Sequence, residues 1–150
     1  MILLSRRSLL ALAAVVDIAI HARPTPVAAK ALAARHNLPP RHLETLLQTL
    51  VRANILKGVR GPRGGYELAR ERRRITAGDI VRAAMNEHIE EGSDPAPQSQ
   101  LVDTIIEPMV AIAGRSFLKE LDAVSVDELC QRALSSLKPK ELPADADFTI

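Results

Sequence analysis

The strongest constraint on the fold lies between positions 43 and 68, where a leucine-striped helix runs directly into two short strand-like segments around a glycine turn. Leu43, Leu46, Leu47, Leu50 and Val51 recur at i, i+3, i+4, i+7 and i+8. That spacing lines one face of a helix and requires the face to turn toward a core. The opposite face collects Arg41, Thr45, Gln48 and Arg52, with His42 and Glu44 on its flanks, residue types that hydrogen-bond to base edges in a major groove. Behind the helix, Ile55-Leu56-Lys57-Gly58-Val59 and Gly65-Tyr66-Glu67-Leu68-Ala69 read as two strands around Gly61-Pro62-Arg63-Gly64, which is a β-wing. Glycine accepts positive φ and leaves no side chain between backbone and phosphate, while arginine enters a narrow minor groove. The wing tip suits double-stranded DNA.

Upstream, Thr25-Pro26 carries the signature of a helix start, a hydroxyl cap followed by a proline with a fixed φ. The helix body is expected from Val27 to Arg35, the turn at His36-Asn37-Leu38-Pro39, and the striped helix from about Pro40. Two helices joined by a tight turn, the second polar on its free face, form a helix-turn-helix. Before them, Leu9, Leu12, Ala13, Val16 and Ile20 follow helical spacing with Ser5 as a cap. The run Ser5-Arg6-Arg7-Ser8-Leu9-Leu10 is similar to a twin-arginine export signal. Asp17 interrupts the apolar stretch behind it, and the periodicity favours a folded helix. No stretch approaches the ~18 apolar residues of a membrane helix, so a cytoplasmic protein with no membrane partner is expected.

The length, 150 residues, bounds the answer to one compact domain with a dimerisation arm. Tyr66, Phe117 and Phe148 are the sole aromatics apart from histidine, too few for platforms that stack single-stranded bases. The single cysteine, Cys130, excludes an internal disulfide and with it an oxidised extracellular scaffold. Charge divides sharply. Residues 1–85 hold 15 Lys and Arg against 5 Asp and Glu, and residues 86–150 hold 5 against 13, so the halves carry +10 and −8. One half can meet phosphates and the other avoids them, although two differently charged solvated faces give the same count.

The block Leu43-Glu44, Leu47, Leu50, Ala53-Asn54-Ile55-Leu56 and Val59-Arg60-Gly61-Pro62-Arg63-Gly64-Gly65-Tyr66-Glu67-Leu68 resembles the Rrf2 family of bacterial regulators. In layout the resemblance spans residues 5 to 137. That family consists of homodimeric winged-helix transcription factors, so the resemblance implies operator binding by two recognition helices and two wings. It places Arg41, His42, Glu44 and Thr45 at major-groove-facing positions and matches Arg60 to the wing arginine of the minor groove. Arg63 departs from a position where glycine is common and adds charge. With Thr25 and Gln48 these are the candidate DNA contacts, while Gly61, Gly64, Gly65 and Tyr66 shape the wing. Glu44 can alternatively pair with Arg41 across one turn. Arg70 and Arg72 to Arg74 read as a hydrated basic loop rather than as phosphate contacts.

Past the wing, Thr76-Ala77-Gly78-Asp79 caps a helix carrying Ile80, Val81 and Ala84, and Glu90 to Gln98 form a polar linker with Pro95 and Pro97. Leu101, Val102, Ile105, Ile106, Met109, Ile112, Ala113, Phe117 and Leu121 then make a helix with more apolar surface than one domain hides. It resembles the family's long dimerisation helix, with Ile105, Ile106, Met109, Ile112, Ala113 and Phe117 as candidate contacts. Pro108 lies inside it, where an unbroken helix loses ~3 kcal/mol, so a kink or break is expected. Ser125-Val126-Asp127-Glu128 is a capping box leading into Leu129, Cys130, Ala133, Leu134 and Leu137. The expected organisation is a mainly α chain: a winged helix-turn-helix over 1–89 with a two-stranded wing, a linker over 90–98, dimerisation helices over 99–137 and an irregular tail over 138–150.

Well-known members of the family bind an iron–sulfur cluster through three cysteines in the loop before the dimerisation helix, and residues Asn86 to Gln100 contain none. No cluster is expected, because one distant thiol does not replace three. Cys130 sits on an apolar stripe and reads as a packed thiol rather than a redox sensor. His21, His36, His42 and His88 show no close ligand spacing, so no metal or other cofactor is expected. A nucleophile elbow, a phosphate loop and a metal cluster are all missing, which argues against an enzyme. The reading is a homodimeric transcriptional regulator, a repressor, acting on a double-stranded operator under an unidentified small-molecule or protein effector. The alternative is a winged-helix protein-interaction module that has lost DNA binding.

Overall fold

The computed structural model describes residues 4–86 and 99–137. Helix α1 (Arg6–His21) starts where the Ser5 hydroxyl accepts the Ser8 amide at 3.2 Å. Its fully buried apolar face is Ala11, Ala14, Val15 and Ile18, whereas Leu12, Val16 and Ile20 are half-buried and Leu9 is exposed. Ala11 and Ala14 on the inner face let α1 lie close to the elements around it, while Val15 and Ile18 fill the core between them. Leu12, Val16 and Ile20 are turned to a neighbouring side.

Helix α2 (Ala29–His36) begins three residues later than the Thr25-Pro26 signature predicts, with Ala28 in place of Thr25 at the cap position. The cause is tertiary. Val27 exchanges both backbone hydrogen bonds with Tyr66, at 2.9 and 2.8 Å, so the chain is held extended there and Thr25 caps nothing. Two satisfied backbone pairs outweigh one hydroxyl cap. Asn37, at φ 52°, ends α2 in the left-handed region, and the Leu38 amide returns to the Ala33 carbonyl at 3.0 Å. Helix α3 (Pro40–Arg52) follows at once, with Leu43, Leu46, Leu47 and Leu50 buried as their spacing predicts.

Strands β1 (Leu56–Val59) and β2 (Gly65–Leu68) pair antiparallel with Lys57 opposite Glu67 and Val59 opposite Gly65, and Lys57 meets Glu67 at 3.0 Å. The turn is tightly specified. Gly61 adopts φ +117°, and a Cβ at Gly65 would run into the Val27 carbonyl and the Ala28 nitrogen. Replacing Gly65 by Ala should therefore cost about 1–3 kcal/mol by forcing the Val27 rung off the wing. Urea denaturation checks this, and a midpoint unchanged from wild type would refute the close approach.

Helix α4 (Ala77–Asn86) has a reciprocal cap, the Asp79 amide donating to the Thr76 hydroxyl at 3.0 Å and the Thr76 amide to the Asp79 carboxylate at 3.1 Å. The expected linker over 90–98 lies wholly within residues 87–98, outside the described residues, and after them the chain is helical from 100 to 122. Pro108 does not break it. A π-helical turn (Val102–Ile106), in which the Glu107 amide donates to the Val102 carbonyl, widens the helix before α5 (Glu107–Asp122). The wider turn gives the proline ring room where an α-turn would bring a carbonyl against it. Helix α6 (Val126–Ser136) is capped by Ser125, whose hydroxyl accepts the Glu128 amide at 3.1 Å.

Helix α6 folds back on α1. Its Val126 and Cys130 complete the same core as Ile18, Leu47, Leu50 and Ile75, and the Val126 amide donates to the Ile75 carbonyl at 2.8 Å. Segment 99–137 thus divides, with its last helix in the core and its first part outside it. Arg82 of α4 grips Asp122 of α5 with two bonds of 2.6 and 2.7 Å. Gly78 beneath that pair leaves the space its carboxylate occupies. The described residues contain no helix long and apolar enough to cross a membrane.

Candidate nucleic-acid interface

Because the leucine face of α3 is consumed by the core, Arg41, His42, Glu44, Thr45, Gln48 and Arg52 are all exposed. The helix is braced from behind. Thr49, buried beside the leucines, donates to the Thr45 carbonyl at 3.0 Å and accepts from Arg7 Nη2 of α1 at 3.3 Å. Arg60, Gly61, Pro62 and Arg63 are exposed at the wing tip, and Tyr66 is half-buried against the core. Gln48 and Arg52 share one surface groove with Gly58 and Tyr66, so the polar face of α3 and the wing adjoin. Thr25 is exposed two residues ahead of the Val27 rung, at the base of the wing.

The basic run after the wing has another use. Arg72 meets Asp127 of α6 at 2.9 Å, and Arg70 donates to the Asn54 carbonyl at 3.2 Å. Arg73, more than four-fifths exposed, approaches Asp127 only to 3.9 Å, and Arg74 lies 3.8 Å from Glu71. Arg72 thus ties the segment after the wing to α6, and Arg70 ties it back to the end of α3.

A second constellation was not foreseen. Asp17, whose side chain is 3% exposed, receives Arg35 Nε at 3.0 Å and Nη2 at 2.6 Å, approaches His36 Nε2 at 2.8 Å and lies 3.2 Å from His21 Nδ1. Burial pushes its carboxyl pKa up. The hydrogen bonds from His36 and Arg35 and the Arg35 and His21 charges outweigh that and hold it below the ordinary 3.8. A depressed folded-state value gives stability that is complete above the unfolded value and is lost as pH falls through the folded one. Urea midpoints should therefore drop below about pH 4, and Asp17→Asn should flatten that drop; equal slopes in both proteins would refute the assignment. The available signal was a lone Asp in an alanine- and valine-rich helix, which must find cations elsewhere.

The Rrf2 family pattern, described as an iron-dependent transcriptional regulator, matches residues 4–132. The chain belongs to the Rrf2 family. It is 34% identical over 137 residues to a Synechocystis sp. protein named as an HTH-type transcriptional regulator, spanning 88% of this chain and 90% of that one. Over 57 residues it is 44% identical to the HTH-type regulator CymR of Bacillus subtilis, covering 38% of this chain and 41% of that relative. Among solved structures, T. potens IscR superimposes with a TM-score of 0.68 at 30% identity, over 90% of this chain and 91% of that one. CymR of B. subtilis, described as its global cysteine regulator, superimposes with 0.65 at 25% identity, over 87% and 98%. The protein is a DNA-binding transcriptional regulator with the family's winged-helix fold, and regulators of this kind are not enzymes.

The iron in the family's description does not fit this donor set. The chain has one cysteine, buried in the core with Sγ 4.0 Å from the Val16 carbonyl. Burial is the main influence on Cys130 and raises its pKa, keeping it a thiol rather than the thiolate a cluster requires. Among the described residues no three His, Cys, Asp or Glu side chains converge to hold an ion.

Proposed function

We propose that the protein is a homodimeric repressor that binds an inverted-repeat operator and works without an iron–sulfur cluster. The observation that carries this reading is the continuous exposed surface made by the outer face of α3 and the wing. In it Arg41, His42, Glu44, Thr45 and Gln48 read base edges, Arg60 and Arg63 enter the minor groove, and Thr25 contacts the backbone. Gly61, Gly64 and Gly65, with Tyr66, hold the tip in shape.

Dimerisation is supported by the apolar side of the π-turn and α5. Ile105, Ile106, Met109 and Ile112 are between 39% and 58% exposed, and Ala113 and Phe117 extend the same helix. An apolar stripe of that length needs a partner, and a two-fold axis sets half-sites one or more helical turns apart. Met109→Lys places two like charges in a symmetric contact. Sedimentation should then fall from a dimer to the 16.3 kDa monomer, with operator affinity down at least about tenfold; an unchanged dimer refutes this stripe.

Selection from random duplexes tests the whole reading. An enriched inverted repeat is expected. No enrichment, with weak binding at low salt, would leave a protein-interaction module as the better account. Protein purified without oxygen should lack a visible sulfur-to-iron band, and a band at near-stoichiometric iron overturns the cluster-free part.

A further inference from the structure

A cavity of about 560 Å³ opens between α1, α2 and the α5–α6 corner, lined by no residue of α3 or the wing. Its walls are aliphatic. Leu12, Val16 and Ile20, the half-buried side of α1, face Leu121, Leu129 and Ala133 across it. Charged and titratable side chains in the lining are confined to Asp17, Arg35, His36 and Arg132. Among the lining side chains two guanidiniums stand beside one carboxylate, and both are paired, Arg35 with Asp17 and Arg132 with Glu128 just outside the lining. Arg35 commits Nε and Nη2 to Asp17, and Arg132 commits Nη2 to Glu128 at 2.5 Å. A guanidinium has five N–H donors, so each retains some.

Volume, aliphatic walls and spare guanidinium N–H donors at the margin suit an occupant with an apolar body and an anionic head. We propose that this cavity binds a small amphipathic carboxylic acid, its carboxylate held by Arg35 and Arg132, and that occupancy is the signal passed to DNA reading. The second half rests on the regulatory function proposed above. Arg35 and His36 are the last two residues of α2, and the chain turns from them directly into α3. Leu121 and Leu129 flank the corner at the end of the dimerisation helix. One ligand therefore touches both the element that sets the recognition helix and the element that sets the dimer.

Calorimetry of the full-length protein with octanoate, 1-octanol and octylamine provides the test. Octanoate should bind once per protomer, at least about tenfold tighter than octanol, and octylamine should be weakest. Arg132→Gln, at a largely exposed position, should reduce octanoate to the level of octanol and leave octanol unchanged. Ala133→Leu should fill the cavity and weaken octanoate and octanol alike, with Ala13→Leu in its place should that variant not fold. Octanoate at saturation should change affinity for the selected duplex about fivefold or more.

Octanoate no tighter than octanol, or wild-type binding by both cavity-filling variants, overturns the site. Binding seen only in the Met109→Lys monomer also overturns it, because a second copy then fills the cavity. An unchanged DNA affinity at saturation overturns the signalling half. Calorimetry needs no DNA, so failure of the duplex selection counts against the operator reading alone.

Discussion

Raising salt from 50 to 200 mM should cut affinity for the selected operator about a thousandfold. The size of the effect follows from which cations are free. Arg41, Arg60 and Arg63 are exposed and form no ion pair among the described residues. Arg72 is held by Asp127 and Arg82 by Asp122. These three arginines of the reading surface give six in the proposed dimer, and each phosphate charge neutralised contributes about −0.9 to the slope of log affinity against log salt. The slope is then about −5, which over a fourfold rise in salt gives the stated loss. Arg60→Ala removes two of the six, so the slope should become shallower by about 2, with the largest affinity loss on duplexes with a narrow A/T-rich minor groove. Fluorescence anisotropy across a salt series measures both. A slope near −10 would show that Arg72 to Arg74 leave their carboxylates for phosphates, and a slope near zero would remove phosphate neutralisation from the mechanism.

The output side of the molecule was legible because local rules and tertiary structure agree there. The leucine spacing of α3, the glycine turn and the caps at Ser5, Thr76 and Ser125 each specify their own geometry, and the structure realises all of them. Where the reading fell short, a distant partner or an irregular turn decided. Thr25-Pro26 is a sound helix start until Tyr66 pairs with Val27. Pro108 ought to break a helix, and a π-turn absorbs it. The aliphatic stripe Leu12, Val16 and Ile20 of α1 lines a cavity while the parallel row Ala11, Ala14, Val15 and Ile18 meets the core, a choice hydrophobic periodicity alone does not make. Asp17 counted only as an interruption, because its partners Arg35 and His36 arrive 18 and 19 residues later.

Arg35→Met should destabilise the protein by about 3–5 kcal/mol, since removing one partner of a buried pair strands the other charge. Asp17 would keep its almost complete burial and lose both guanidinium bonds, leaving only His36 and His21 near the carboxylate. A domain of this size holds about 5–15 kcal/mol in total, so the variant should stand close to unfolding at 37 °C. The double variant Asp17→Leu with Arg35→Met should regain most of the loss, because an apolar pair of similar volume carries no desolvation cost. His36 is half-exposed and can turn its ring to water once the carboxylate is gone. Urea midpoints at constant slope give both values. If the single variant loses under about 1 kcal/mol, or the double is no better than the single, the Asp17 cluster is not what fastens α2 to α1. The same comparison bears on function. Both variants lack the Arg35 guanidinium, so the double separates loss of stability from loss of the charge that, with Arg132, sets the cavity's preference for an acid. A stable double variant that binds octanoate no better than octanol assigns that preference to the arginine itself.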